Sequence, residues 1–121
     1  MAELYPKKAI ECSNIIGKRV FGIIDRPIGS IHPEYKDMIY PINYGYVKNI
    51  FANDGEEQDA YVLGTCEPLE SFEGIVIAIY HRINDLEDKW IVSIDDREYS
   101  DNELLQMIHF QEKYFKGYLI R

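Results

Sequence analysis

Asp54, Glu56 and Asp59 stand at i, i+2 and i+5 of one short segment, with Gly55 turning the chain between the first two. Ala60-Tyr61-Val62-Leu63 follows as an apolar, strand-like run that would fix the third acid. Carboxylates gathered in this way suit hard cations such as Mg²⁺, which take oxygen ligands and keep several waters. For the acids alone, a solvated loop with no task is the favoured reading, because most surface acids do nothing specific. Their neighbours shift that balance. Upstream lies Tyr40-Pro41-Ile42-Asn43-Tyr44-Gly45-Tyr46-Val47, and downstream lies Asp85-Leu86-Glu87-Asp88-Lys89-Trp90, a second acidic turn closed by a lysine ahead of a strand.

The order of a tyrosine turn, an acidic DG loop and a second acidic turn with a lysine resembles the soluble inorganic pyrophosphatases, a Mg²⁺-dependent family built on a small β-barrel. The resemblance runs from about Arg19 to Lys116. Its most specific part is the YP-x-NYGY segment followed at a fixed gap by DG-x-x-x-D. It implies hydrolysis of inorganic diphosphate to two phosphates by a metal-activated water. The chemistry asks for such a site: the electrophile is densely negative, so cations must sit on its oxygens and a water must be made nucleophilic near neutral pH.

Carried over residue by residue, the resemblance makes Asp54 and Asp59 metal ligands and places Glu56 where an aspartate usually orients or deprotonates the attacking water. It gives Asp59 and Glu56 the catalytic roles. Asp85, Glu87 and Asp88 compete for the ligand places of the second turn; Asp85 and Asp88 are taken as metal ligands beside Asp54, Glu56 and Asp59. Lys89 matches a phosphate-binding lysine, although a surface ion pair worth ~0–1 kcal/mol is its bland alternative. Tyr44 matches a substrate-side tyrosine, whose phenol can hold a phosphate oxygen without adding charge. His109-Phe110-Gln111-Glu112-Lys113-Tyr114 resembles the family's H-F-x-E-x-Y run and makes Tyr114 a phosphate contact. The implied cofactor is Mg²⁺, with Mn²⁺ as the alternative.

The departures are as specific. Phe115 follows Tyr114 where the family has a lysine, and Lys116 comes one place later, rotated by ~100° on a helix. Glu34-Tyr35 replaces a lysine-tyrosine pair, and Lys36-Asp37-Met38 bridges directly to Tyr40 where the family has a hairpin with a substrate arginine. Arg26 in Asp25-Arg26-Pro27 is the candidate to compensate, since a guanidinium fork suits phosphate; Lys48 and Arg82 are further candidates. Two other readings stay open: hydrolysis of a different phosphoanhydride (nucleotide or polyphosphate), and a non-catalytic barrel that binds metal or phosphate.

These residues need elements to hold them. The chain has 121 residues, 46% of them hydrophobic, enough for one domain with one core. Strands are expected at Val20–Ile24, Tyr44–Phe51, Asp59–Gly64, Gly74–Arg82 and Lys89–Ile94, the last two pairing across the turn at 84–88. Ser30–Tyr40 reads as irregular. Ser100-Asp101-Asn102-Glu103 has capping-box spacing, Leu104, Leu105, Ile108 and Phe115 form a helical stripe, and Gly117 is the expected stop. The fold class is α+β, mainly β. The resemblance implies a closed, OB-like, five-stranded barrel with a C-terminal helix packed on it; periodicity alone leaves a sandwich open. Residues 1–18 read as a loosely attached arm, with a short helix near Lys8–Ile15.

The formal net charge of −8 argues against a nucleic-acid partner. The N-terminal residues carry no long apolar stretch and the longest apolar run, Ile75 to Tyr80, is too short to span a bilayer. Cys12 and Cys66 read as reduced thiols. The expectation is a cytoplasmic protein with a small phosphorylated substrate, no membrane partner and, by the resemblance, a homo-oligomeric state. The three histidines, 32, 81 and 109, have no metal-ligand spacing and are given core or surface roles.

Overall fold

The computed structural model describes residues 14–52, 54–83 and 87–121. Strands β1 (Arg19–Arg26), β2 (Asn43–Phe51), β3 (Glu57–Leu63), β4 (Ser71–Arg82) and β5 (Asp88–Ser93) are followed by helix α1 (Asp101–Glu112) and a final strand, β6 (Gly117–Ile120). The order β1-β2-β3-β5-β4 closes on itself through β1–β4 pairing. All barrel pairings are antiparallel except β3–β5. Closure leaves no open edge among those five strands. β4 is long enough to serve two partners on one side: its first residues pair with β1 and its last with β6.

Alternation along the strands sorts the core into two layers. Val20, Val47, Val62, Val76, Trp90 and Val92 fill the barrel. On the outer face of the wall, Tyr61, Leu63 and Ile91 meet Leu104 and Ile108 of α1, with Tyr40 and Tyr44 beside them. Leu104 and Ile108 are fully buried there, worth ~1.5–3 kcal/mol each by transfer.

Each expected strand is present, with ends shifted by a few residues, and the β4–β5 pair forms as anticipated. The capping box also forms: Ser100 Oγ accepts from Glu103 N and the Glu103 carboxylate accepts from Ser100 N. The helix end differs from expectation. α1 stops at Glu112 with Lys113 as its C-cap, so Phe115 lies beyond the helix and Leu105 is exposed. Gly117 is the first residue of a sixth strand rather than the helix stop. Its backbone runs so close to β4 that an added Cβ would meet the His81 carbonyl oxygen at 2.3 Å.

The 30–40 segment is better tied than its sequence suggests. Tyr40 N donates to Ser30 O and His32 N to Met38 O, both at 2.9 Å, which makes a small hairpin with Tyr35 at its tip. At the end of the expected arm, Ile15 and Ile16 pack on the barrel core and Gly17 N donates to Val76 O. The rest of the arm, its expected helix and Cys12 lie outside the described residues. Cys66 is a free, exposed thiol. Among the described residues no helix is long and apolar enough to cross a membrane.

Candidate functional site

A cleft of about 380 Å³ opens between the outer barrel wall, the 30–40 hairpin and the end of α1. The end of β1 gives it Asp25 and Arg26, the start of β2 Tyr44, β3 Asp59, the end of β4 Arg82, and the start of β5 Lys89, with Glu87 just before it. Asp59 and Lys89 alternate with Ala60 and Trp90, whose side chains fill the barrel, so both point outward onto this face.

Lys89 is the centre of the wall. Its side chain is 4% exposed, and Nζ lies 2.6 Å from Asp59 Oδ2 and 3.6 Å from Glu87 Oε2. Burial alone would push its pKa down; Tyr44 and Asp59 alongside outweigh that and hold it above the usual lysine value, so the ammonium stays charged. Tyr44 is buried, and desolvation raises its phenol well above 10, so it remains a neutral donor.

The second cation is Arg82. Its guanidinium grips Glu112 in a fork, Nε to Oε1 at 2.8 Å and Nη2 to Oε2 at 2.7 Å, with Glu87 at 3.5 Å from Nη1. Its carbon Cζ sits 3.6 Å above the Phe115 ring. The third cation, Arg26, donates to Tyr40 Oη at 2.8 Å. A relay of hydrogen bonds joins the two arginines under the cleft floor. Tyr40 donates to Gln111 Oε1 at 2.9 Å, Gln111 Nε2 donates to Tyr61 Oη at 2.8 Å, and Tyr61 donates to Glu112 Oε2 at 2.5 Å.

The acids form a rim. Gly55, at φ 85°, makes the turn that lets Asp54 accept a hydrogen bond from Glu56 N at 3.0 Å. The Asp54 carboxylate also faces Glu87. Burial raises the Glu87 pKa and Asp54 raises it further, against the pull of Lys89. Burial also acts to raise that of Asp54, but hydrogen bonds from Glu56 N and from Glu87 outweigh it and bring it below the usual aspartate value. Burial likewise raises Asp25. Among the described residues no three acids, histidines or cysteines converge tightly enough to enclose an ion. The Asp54–Glu87 pair still suits Mg²⁺, which takes one or two carboxylates and completes its shell with water and substrate oxygens.

Asp59, Lys89, Tyr44, Arg26 and Tyr114 therefore share one cleft, as their selection required. Asp54 reaches its rim through Glu87. Glu56 is exposed and its side chain is absent from the lining. Asp85 lies outside the described residues. Asp88 is a correction: it points into the barrel, is 4% exposed and meets His81 Nδ1 at 2.7 Å, because it alternates with Lys89 along β5. Glu87 takes the place in the cleft that Asp88 does not. Lys48 is exposed on β2 and Lys116 is exposed beyond α1; neither lines the cleft.

Asp25, His32, Tyr35, Met38, Gln111 and Phe115 were not singled out as site residues, yet all line it. Asp25 adjoins Arg26, and the Gln111-Glu112 pair lies inside the H-F-x-E-x-Y run, so both had a signal. Tyr35 and Met38 fall in the segments where the chain departs from the family pattern, and Phe115 stands in place of a family lysine, so these also had a signal; His32 had none.

No protein-family model matches the sequence, and no curated protein matches it significantly in sequence. Solved structures do match in shape. The inorganic pyrophosphatase of Ehrlichia chaffeensis superposes with a TM-score of 0.64 at 18% identity, covering 84% of this chain and 85% of that one. That of Coxiella burnetii gives 0.62 at 20% identity, over 86% of each chain. That of Helicobacter pylori gives 0.58 at 19% identity, over 82% of each. At these identities the likeness establishes the fold, which is that of inorganic pyrophosphatases.

Proposed function

We propose that the cleft binds a phosphoanhydride and hydrolyses it, with inorganic diphosphate as the simplest substrate and a divalent cation, Mg²⁺ or Mn²⁺, as cofactor. The observation that carries this reading is the ion pair of buried Lys89 with half-buried Asp59, flanked by Arg26 and Arg82 in one cleft, on a fold shared with enzymes named for diphosphate hydrolysis.

In this reading Lys89, Arg26 and Arg82 hold the phosphoryl oxygens, and the Tyr44 phenol donates to one without adding charge. Tyr114, at the mouth, extends that set. Asp54, Asp59 and Glu87 are the carboxylates that would hold a divalent ion, with Asp85 the proposed ligand from the second turn. Once bound, such an ion neutralises phosphate charge and makes water more acidic. Water oxygen bonds to one phosphorus as the bridging P–O bond breaks in line. The water proton passes to the Asp59 carboxylate, with Glu56 orienting the water from the rim. The departing phosphate leaves with the bridging oxygen, its charge balanced by Lys89 and Arg82.

The test is phosphate release from diphosphate with and without Mg²⁺, using Asp59→Asn and Glu56→Gln. Asp59→Asn should lower kcat by ~10²-fold or more, the usual contribution of a positioned proton acceptor; Glu56→Gln should lower it by a smaller factor, since Glu56 orients the water and does not take its proton. Release that is unaffected by either substitution would assign the activity elsewhere.

A further inference from the structure

The charged floor of the cleft uses only part of its wall. Its mouth is aromatic and apolar: Tyr35, Tyr114, Met38 and Phe115 line it above the cations. Tyr35 and Tyr114 are 59% and 61% exposed, their ring centroids 6.2 Å apart and their planes within 18°. The two rings stack on each other from two separate elements, the hairpin tip and the segment just after α1, and so form an exposed aromatic wall at the mouth.

A second cavity of about 440 Å³ shares Tyr35, Met38 and Tyr114 with the first. It adds Ile39 and Phe110, with Glu34, Lys36, Asp37 and Lys113 around it. Each cavity has a volume in the range that accepts organic ligands, about 300–1,000 Å³. A bare diphosphate is polar throughout and offers these rings no apolar surface. A planar heteroaromatic ring does, because it stacks on tyrosine faces and presents edge donors and acceptors to nearby charged side chains.

The wall is also preorganised. His32 Nδ1 accepts from Glu34 N at 3.0 Å and Tyr35 N at 3.2 Å, and Met38 N donates to Tyr35 O at 2.9 Å. A ring arriving here meets a held partner and avoids part of the ordering cost.

We propose that the mouth is a subsite for the base of a nucleoside diphosphate or triphosphate, whose phosphates lie on Arg26, Arg82 and Lys89 while its base stacks on the Tyr35–Tyr114 wall. This rests on the reading of the cleft as a phosphoanhydride site and names the substrate class that the site favours. The ester-linked phosphate would lead from the charged floor toward Tyr35 and Tyr114, which line both cavities.

The test is calorimetric binding of three non-hydrolysed or slowly hydrolysed probes at fixed Mg²⁺: α,β-methylene-ADP, methylenediphosphonate and tripolyphosphate. The nucleotide analogue should bind about tenfold or more tightly than methylenediphosphonate, the return expected from one stacked base. Tyr35→Ala should cut that preference about fivefold or more, with methylenediphosphonate binding unchanged, and Tyr35→Phe should keep it. Equal binding of nucleotide analogue and methylenediphosphonate, a preference that survives Tyr35→Ala, or tripolyphosphate binding as tightly as the nucleotide analogue would overturn the subsite while leaving the phosphate site standing. Binding of none of the three would overturn both.

Discussion

Glu112 is the acid on which the arginine side of the cleft depends. Both it and Arg82 are nearly inaccessible, at 3% and 4% exposure, and their fork is completed by Tyr61. Removing one member of such a pair leaves a buried charge without its partner, a cost of ~3–5 kcal/mol, whereas replacing both with apolar groups is often close to neutral. Glu112→Ala should therefore lose about that much stability in urea denaturation, and Arg82→Met with Glu112→Leu should recover most of it while abolishing phosphate release. A single substitution that costs less than the double one would show that the pair is not coupled as its geometry indicates. The sequence marked Lys89, Tyr44 and Asp59 correctly as neighbours because spaced motifs bring strand ends together. It misjudged Asp88 for a reason visible in retrospect: a one-residue step along a strand reverses the face. With Lys89 outward, Asp88 must face inward and Glu87 outward. The Arg82–Glu112 link was less legible, because it joins residues thirty apart on a strand and a helix, and only the packing of α1 against the barrel brings them together.

Among the elements, α1 begins on a signal readable from four residues and ends on none. Ser100 and Glu103 exchange hydrogen bonds with each other's backbone. Ser100→Ala should cost ~1 kcal/mol of unfolding free energy, typical of a lost N-cap. Glu103 adds a pH signature. The Ser100 N–H holds its carboxylate below the ordinary glutamate value. A depressed folded pKa stabilises the protein above the unfolded value, near 4.3, and that contribution vanishes as pH falls through the folded value. The melting-temperature deficit of Glu103→Gln relative to the parent should therefore be present at neutral pH and shrink below about pH 4; a deficit that is the same at both ends would assign it to packing. At the other end, Phe115 continues the apolar period and Gly117 has the character of a stop, so the sequence pattern overstates the helix and hides β6. A four-residue strand carries too little alternation to announce itself. Gly117 owes its place to crowding: Gly117→Ala would press a methyl group onto the His81 carbonyl and should detach β6 from β4, lowering the melting temperature. The barrel, by contrast, was legible strand by strand; its closure, which β1–β4 pairing supplies, followed from the family resemblance and not from periodicity, because no single strand encodes curvature and register.

At the scale of the whole molecule, a chain of net charge −8 carries Lys89, Arg26 and Arg82 in one cleft, which the proposed function assigns to an anion. The two facts are compatible because they act over different distances. In the proposed function Lys89 and the two arginines would act on phosphate oxygens at contact, in a partly desolvated cleft where salt screens little. The surplus of acids acts at longer range, and at 0.1 M ionic strength its field fades over ~10 Å. A phosphate ligand approaching without a divalent ion thus meets repulsion first and attraction last. Raising KCl from about 0.05 to 0.2 M should screen mainly the repulsion. The association rate of methylenediphosphonate in the absence of divalent ion, followed by stopped flow, should consequently stay level or rise across that range, the reverse of ordinary electrostatic steering. Adding Mg²⁺ should remove much of the salt effect, since the ligand then arrives with its charge partly neutralised. A steep fall in association rate with KCl would mean that the cleft cations project beyond the rim and overcome the acidic surface. The Asp59 and Glu87 carboxylates beside Lys89, and Glu112 on Arg82, would then be weaker shields than their distances of 2.6, 3.6 and 2.7 Å imply.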